Sequence, residues 1–319
     1  MMDEDLKALL KELAESEKMP DRSDLYALSS LPAEEAARVA EVWHDLPTDL
    51  RIELINALVE IAEADFEALF GAVYRVGIED QEPAVRARAI EGLWEDRDVR
   101  LVPVLADRLR EDESARVRAA AATSLGRFIL LGELEKIRPA PRTEAYECLM
   151  AACQRESEPL EVRRRAMESL AYTENETIVE MIETAYQSPH EEERISAVFA
   201  MGRSANPRWA VEVRRELISP NPAMRYEAAR ASGELQLNEC VPDLEELSED
   251  VDREVQEAAI WALGQIGGDK ARAILERHLE SDDAVAQAAA EAAINQLEFL
   301  HGDVAGLFDR LLEDLDAND

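Results

Sequence analysis

An arginine returns at one fixed place along much of this chain: Arg51, Arg86, Arg118, Arg163, Arg194 and Arg225. Evenly spaced guanidinium groups can do one of two things. They can line a groove that takes up carboxylates or phosphates, because the planar fork binds either in a bidentate way. Or each can pair with an acid near a turn of its own or the next repeat, in which case the ladder is structural; Glu82, Glu113, Glu158 and Glu191 are the acids expected to serve, and this second reading is preferred. The ladder stops at Gln256 and Ala286. Cys148 and Cys153 stand five apart on one predicted helix and point in different directions, and Cys240 is alone. An odd, low count argues against a disulfide framework, and neither zinc nor redox spacing is present. There is no Ser-His-Asp arrangement, phosphate loop or Gly-rich nucleotide fingerprint. No catalytic residue, metal or cofactor is therefore expected. Glu191-Glu192-Glu193 reads as the solvated start of a helix, where the dipole favours negative charge.

What must position these residues is a repeat. The arginine belongs to a phrase in which an aliphatic residue precedes it and Ala follows four positions after that residue. Leu and a small residue come eight and nine on. It reads Val85-Arg86, Ala89, Leu93-Trp94, then Val117-Arg118, Ala121, Leu125-Gly126, then Val162-Arg163, Ala166, Leu170-Ala171. Copies begin again at Glu193, Met224, Val255 and Val285, and a degenerate one at Leu50. The steps are 35, 32, 45, 31, 31, 31 and 30 residues. Positions 0, 4 and 8 share one helical stripe and are apolar or small. Each phrase is expected on the second helix of a pair, opened by Pro83, Glu113, Pro159, Pro189, Pro222, Asp252 or Asp282. Shorter amphipathic runs such as 101–109, 178–182 and 241–247 supply the first helices. No pair can bury its stripe alone, so the pairs must stack. The step of 45 implies an insertion near 127–143, where Gly132, Pro139 and Pro141 break the pattern.

The phrase resembles the HEAT repeat, in the variety shared with phycobilisome lyases. Glu82-Pro83-Ala84-Val85-Arg86, Val117-Arg118 with Leu125-Gly126, and Ala262-Leu263-Gly264 carry the likeness. It implies an all-α fold, an α-α superhelix of stacked antiparallel helix pairs. Residues 1–46 would be N-terminal capping helices, 47–300 about eight repeats, and 301–319 a C-terminal capping helix with an acidic tail. Within this class, HEAT-type deoxyhypusine hydroxylases hold two irons with repeated His-Glu pairs. Of His44, His190, His278 and His301 only His190-Glu191 fits, and one pair cannot build such a site. That activity is accordingly not expected.

Charge narrows the partners. Net charge is −35, with seven basic against 20 acidic residues in 1–80 and five against 21 in 241–319. The middle is nearly balanced. Such a field repels nucleic acid and anionic lipid and attracts basic surfaces. Arg163-Arg164-Arg165 with Arg203, Arg208, Arg214 and Arg215 do not overcome it locally. The charged N-terminus is no signal peptide, and no run approaches a membrane span, so a cytoplasmic protein is expected, a monomer by itself. Positions 2 and 6 of the phrase point away from the core stripe, toward a concave groove. In three adjacent repeats they supply Ile195, Phe199, Tyr226, Arg230 and Trp261, an interface-like set. The resulting expectation is a non-catalytic scaffold or adaptor binding a protein partner, one with a basic surface, through these five residues. The alternative is a subunit of a bilin lyase-like enzyme.

Overall fold

The computed structural model describes residues 4–16 and 18–301, and these contain helices and no strand. At the N-terminal end come α1 (Glu4–Ser16), α2 (Ala33–Trp43) and α3 (Thr48–Ala64). Pairs follow: α4 (Gly71–Gly77) with α5 (Pro83–Gly92), α6 (Leu101–Glu111) with α7 (Ala115–Glu133), and α8 (Pro139–Gln154) with α9 (Leu160–Leu170). Then come α10 (Glu176–Tyr186) with α11 (Glu191–Arg203), α12 (Ala210–Glu216) with α13 (Pro222–Glu234), α14 (Val241–Leu247) with α15 (Arg253–Ile266), and α16 (Gly268–Leu279) with α17 (Ala284–His301). The chain divides after Thr173 into two compact units. In the first, α3, α5, α7 and α9 lie side by side in order; in the second, α11, α13, α15 and α17 do. This is HEAT-type stacking, and every phrase from Val85 onward sits on the second helix of a pair. The C-terminal helix expected over 303–315 lies outside the described residues.

Local chemistry starts these helices where the sequence marks them. Glu82 accepts the amide of Ala84 ahead of Pro83, Asn221 accepts that of Ala223 ahead of Pro222, and Asp252 accepts those of Glu254 and Val255. The stripe is the core: Val85, Ala89, Leu93, Val117, Ala121 and Leu125 are buried in the first unit, and Met224, Ala228, Val255, Ala259 and Leu263 in the second. Small residues after the stripe let neighbouring second helices touch. A Cβ on Gly126 would stand 2.7 Å from Ser169 Oγ, and one on Gly233 would stand 2.7 Å from the Trp261 ring and 2.9 Å from Ala262 Cα.

Two features differ from the expectation. The long step of 45 residues is not a loop: α7 has 19 residues and α8 has 16, so the added length lies mostly in helix. Gly132 is inside α7, and the turn is made by Glu135 at φ 55°. Pro139 and Pro141 open α8, in the first turn, where a missing N–H costs nothing. The last repeat is also shifted by one residue. Ala286, Ala290, Ala293 and Leu297 are buried while Val285 is exposed, so the copy begins at Ala286, 31 residues after Val255. The alanine-rich run 286–293 gives no contrast by which the phase can be read.

Candidate functional site

The arginine ladder is structural where its partners are seen. Four of the six arginines donate through Nη1 to the carbonyl six residues earlier, fastening the turn before their own helix: Arg86 to Asp80, Arg118 to Asp112, Arg194 to Ser188 and Arg225 to Ser219, at 2.8–2.9 Å; Arg51 donates to the Leu46 carbonyl, five residues earlier. The remaining N–H groups cross to an acid of the following repeat. Arg51 reaches Asp80 at 2.8 Å, Arg118 reaches Glu158 at 2.7 Å, and Arg86 and Arg225 grip Asp112 and Asp250 in bidentate fashion. Of the four acids expected, only Glu158 is such a partner. Glu82 caps its helix, Glu113 is 3.9 Å from Arg86, and Glu191 is 3.9 Å from Arg194. Three of the true partners stand two residues before an N-cap residue and also accept its amide: Asp80 from Glu82, Asp112 from Ser114 and Asp250 from Asp252. At two turns this residue is instead Ser188 or Ser219, whose hydroxyl keeps the amide contact without the charge. In the last repeat, Gln287 rather than Ala286 holds the ladder place. Gln287 donates to the Leu279 carbonyl as Gln256 does to that of Ser248.

Of the five ridge residues, three line one cleft and two do not. Tyr226, Arg230 and Trp261 come together in a cleft of about 670 Å³ between α13, α15 and α17, floored by Ala258, Ala289 and Ala293. Ile195 and Phe199 lie outside it, half-buried on α11, with Arg203 over the Phe199 ring at 5.0 Å. The cleft holds two acids as well, Glu254 and Glu257. With Trp261 they follow one another at three and four residues along α15, so the stripe was open to reading from sequence; Glu254 was missed because it lies ahead of the phrase. Both carboxylates are exposed, and among the described residues no cation is placed against either. Arg230 lies flat over Trp261, 3.6 Å from the ring centroid. Behind it Glu234 is held by Arg203 at 3.3 Å. Burial raises the Glu234 carboxyl above its ordinary value, and the charges of Arg203 and Arg230 pull it back only in part. With Arg230 counted the cleft carries one net negative charge, and its aromatic ring, phenol and two exposed carboxylates suit a long cationic side chain.

Metal ligands are a separate question. Among the described residues no group of three or more His, Cys, Asp or Glu side chains is placed to hold a metal ion. His44 is exposed at the end of α2, and His190 is exposed at the start of α11. His278 is buried with Nε2 2.8 Å from Ser248 Oγ. These residues do not fit the two-iron centre that the resemblance implies. The three thiols are free, and burial pushes Cys153 up to about 12 and Cys240 to about 11. No described helix is long and apolar enough to cross a membrane.

Comparison with known proteins bears on both fold and function. The HEAT repeats family model matches residues 75–160 and 211–295. Deoxyhypusine hydroxylase of Schizosaccharomyces pombe is 27% identical over 214 residues, spanning 60% of this chain and 67% of the relative. Human deoxyhypusine hydroxylase overlaps at a TM-score of 0.38 with 19% identity, covering 83% of this chain and 96% of that one. The CpcE–CpcF complex of phycocyanin lyase from Nostoc overlaps at 0.43 with 18% identity, covering 61% and 76%. At these overlaps neither structure says anything about activity. The sequence relative does: it is an enzyme, and it overturns the expectation of a non-catalytic scaffold. The physical reason is that the phrase encodes packing. Whatever chemistry a helical stack carries is assembled from side chains on different repeats, so a missing local motif was no warrant against catalysis.

Proposed function

This chain belongs to the HEAT-repeat family, and from that premise we propose that it is an enzyme acting on a protein, with a long, amine-bearing side chain of that protein as the group bound. The observation that carries this reading is the cleft between α13, α15 and α17, where Trp261 and Tyr226 stand beside the unpaired Glu254 and Glu257. The relative supports it, since deoxyhypusine is such a side chain. An amine laid along the cleft meets two carboxylates at its charged end, and its methylenes lie on the alanine floor and the rings. Excess negative charge over 241–319 brings a basic partner toward this unit. A reducing, cytoplasmic setting belongs to the same reading, as all three thiols are free. The recognition step is what the cleft supplies; among the described residues no set of metal-ligating side chains accompanies it.

The test uses a peptide bearing deoxyhypusine and the same peptide bearing lysine. Binding is measured by calorimetry, and the peptide is then analysed by mass spectrometry after incubation with and without ferrous iron in air. Preferential binding of the longer amine is expected. It should weaken about tenfold in Glu254→Gln/Glu257→Gln, the loss of charge-assisted bonds of about 1.5 kcal/mol. A covalent change in the peptide completes the reading. No binding, or binding untouched by the double substitution, refutes the cleft, and binding with an unaltered peptide refutes catalysis.

A further inference from the structure

A second cleft, of about 520 Å³, lies in the other unit between α5, α7 and α9. Its chemistry is opposite to that of the first. Arg116, Arg127 and Arg165 line it with Glu91 and Glu161, so the wall carries one net positive charge in a chain whose net charge is −35. Arg127 is the unusual member. Its guanidinium donates to the Leu93 carbonyl and, at 3.1 Å, to Ser124 Oγ, both neutral acceptors. Its Nε is buried with no hydrogen-bond partner. The neighbouring acid, Asp96, is held instead by Arg75 at 2.6 Å. Burial pulls the Arg127 guanidinium down to about 10, with Asp96 opposing and Arg75 adding to the fall. A half-buried cation short of counter-charge is costly, and an anion entering the cleft would relieve it.

Beside it stands Trp94. The repeat phrase has a small residue at this place in most other copies, Gly126, Ala171, Gly202, Gly233 and Gly264, because neighbouring helices touch there. Here α5 ends at Gly92, and Trp94 lines the cleft, 53% exposed. Packing does not call for a tryptophan at this position. Glu91 is occupied by Arg88 at 3.0 Å and Arg165 by Glu168 at 2.8 Å.

We propose that this cleft binds a small organic carboxylate with a planar apolar body, the carboxylate on Arg127 with Arg116 at the mouth, and the ring against Trp94. The volume suits a small molecule, and a guanidinium fork matches a carboxylate. One net positive charge is balanced by a monoanion, and the second charge of a phosphate dianion would meet the field of a chain at −35 without a counter-charge. The inference is independent of the amine cleft, which lies in the other unit.

Calorimetric titration of the full chain with 2-naphthoate tests it, beside 2-naphthyl phosphate and the neutral 2-naphthalenemethanol. One-to-one binding of the naphthoate is expected, with the alcohol at least tenfold weaker, the worth of a charge-assisted bond. Arg127→Gln should lose about tenfold, and Trp94→Ala several-fold with the charge preference kept. Should Arg127→Gln not fold, Trp94→Ala and Arg116→Gln, both at exposed side chains, decide in its place by the same losses. Absence of naphthoate binding, equal binding of the alcohol, or full affinity in the folded variants overturns the site. Equal or tighter binding of the phosphate overturns its assignment to a monoanion.

Discussion

Asp112→Ala is the substitution in which the ladder argument is most exposed. In the native chain the Asp112 side chain is 1% exposed and that of Arg86 8%. The two are joined by a pair of 2.8 Å bonds that tie α5 of one repeat to the turn before α7 of the next. Removing one member of a buried pair costs about 3–5 kcal/mol, because the other charge is left desolvated. Arg86 would keep the carbonyls of Asp80 and Gln81, and Glu113 stands 3.9 Å away but is itself solvated, which favours the lower end. The amide of Ser114 would lose its acceptor too, adding about 1 kcal/mol. The sum is a loss of about 4 kcal/mol. Burial raises the Asp112 carboxyl, but the Arg86 bond, the Ser114 amide and the charges of Arg86 and Arg108 outweigh it, and the net shift is downward. A depressed carboxyl contributes stability that is whole above its unfolded value of about 3.9 and is lost as pH falls through the folded value. Urea melts followed by far-UV circular dichroism at neutral pH should therefore show the full loss in the transition of the first unit, and the gap to wild type should close in acid. Arg86→Met/Asp112→Leu should regain at least half of it, since an apolar pair leaves no stranded charge. A loss under about 1 kcal/mol, the size of a surface pair, or a double variant no better than the single, would refute the reasoning.

Two other outcomes follow from the same packing. Gly233→Ala places a methyl against the Trp261 ring and the Ala262 backbone, so thermal melts should show a loss of about 1–3 kcal/mol and the amine peptide should bind more weakly, the ring having moved. With Cys153 pushed up to about 12 and Cys240 to about 11 by burial, and Cys148 raised as well, iodoacetamide at neutral pH should leave the native thiols unlabelled and label all three in denaturant, as read by intact mass.

The stack of helix pairs was legible in the residues because its determinants are local. The period-3.6 stripe, the Asx and proline starts and the small residue after the stripe recur within each copy, and each fixes a helix or its closest neighbour without reference to the rest. Where contrast failed, so did the reading. The alanines of 286–293 left the last copy one residue out of phase, and the prolines opening α8 resembled a break. Pairing was less legible still. Arg86 had Glu82, Glu113 and Asp112 within reach along the chain, and only the burial and the direction of the turn chose Asp112. The clefts were legible only in part. Which of the ridge residues meet depends on how far each helix is rotated on the next, and that rotation left Phe199 with Arg203 while bringing Tyr226, Arg230 and Trp261 together beside Glu254 and Glu257. The repeat specifies how neighbours pack; what gathers in the spaces between them is set by residues that packing leaves free to vary, and only the tertiary structure brings those into one place.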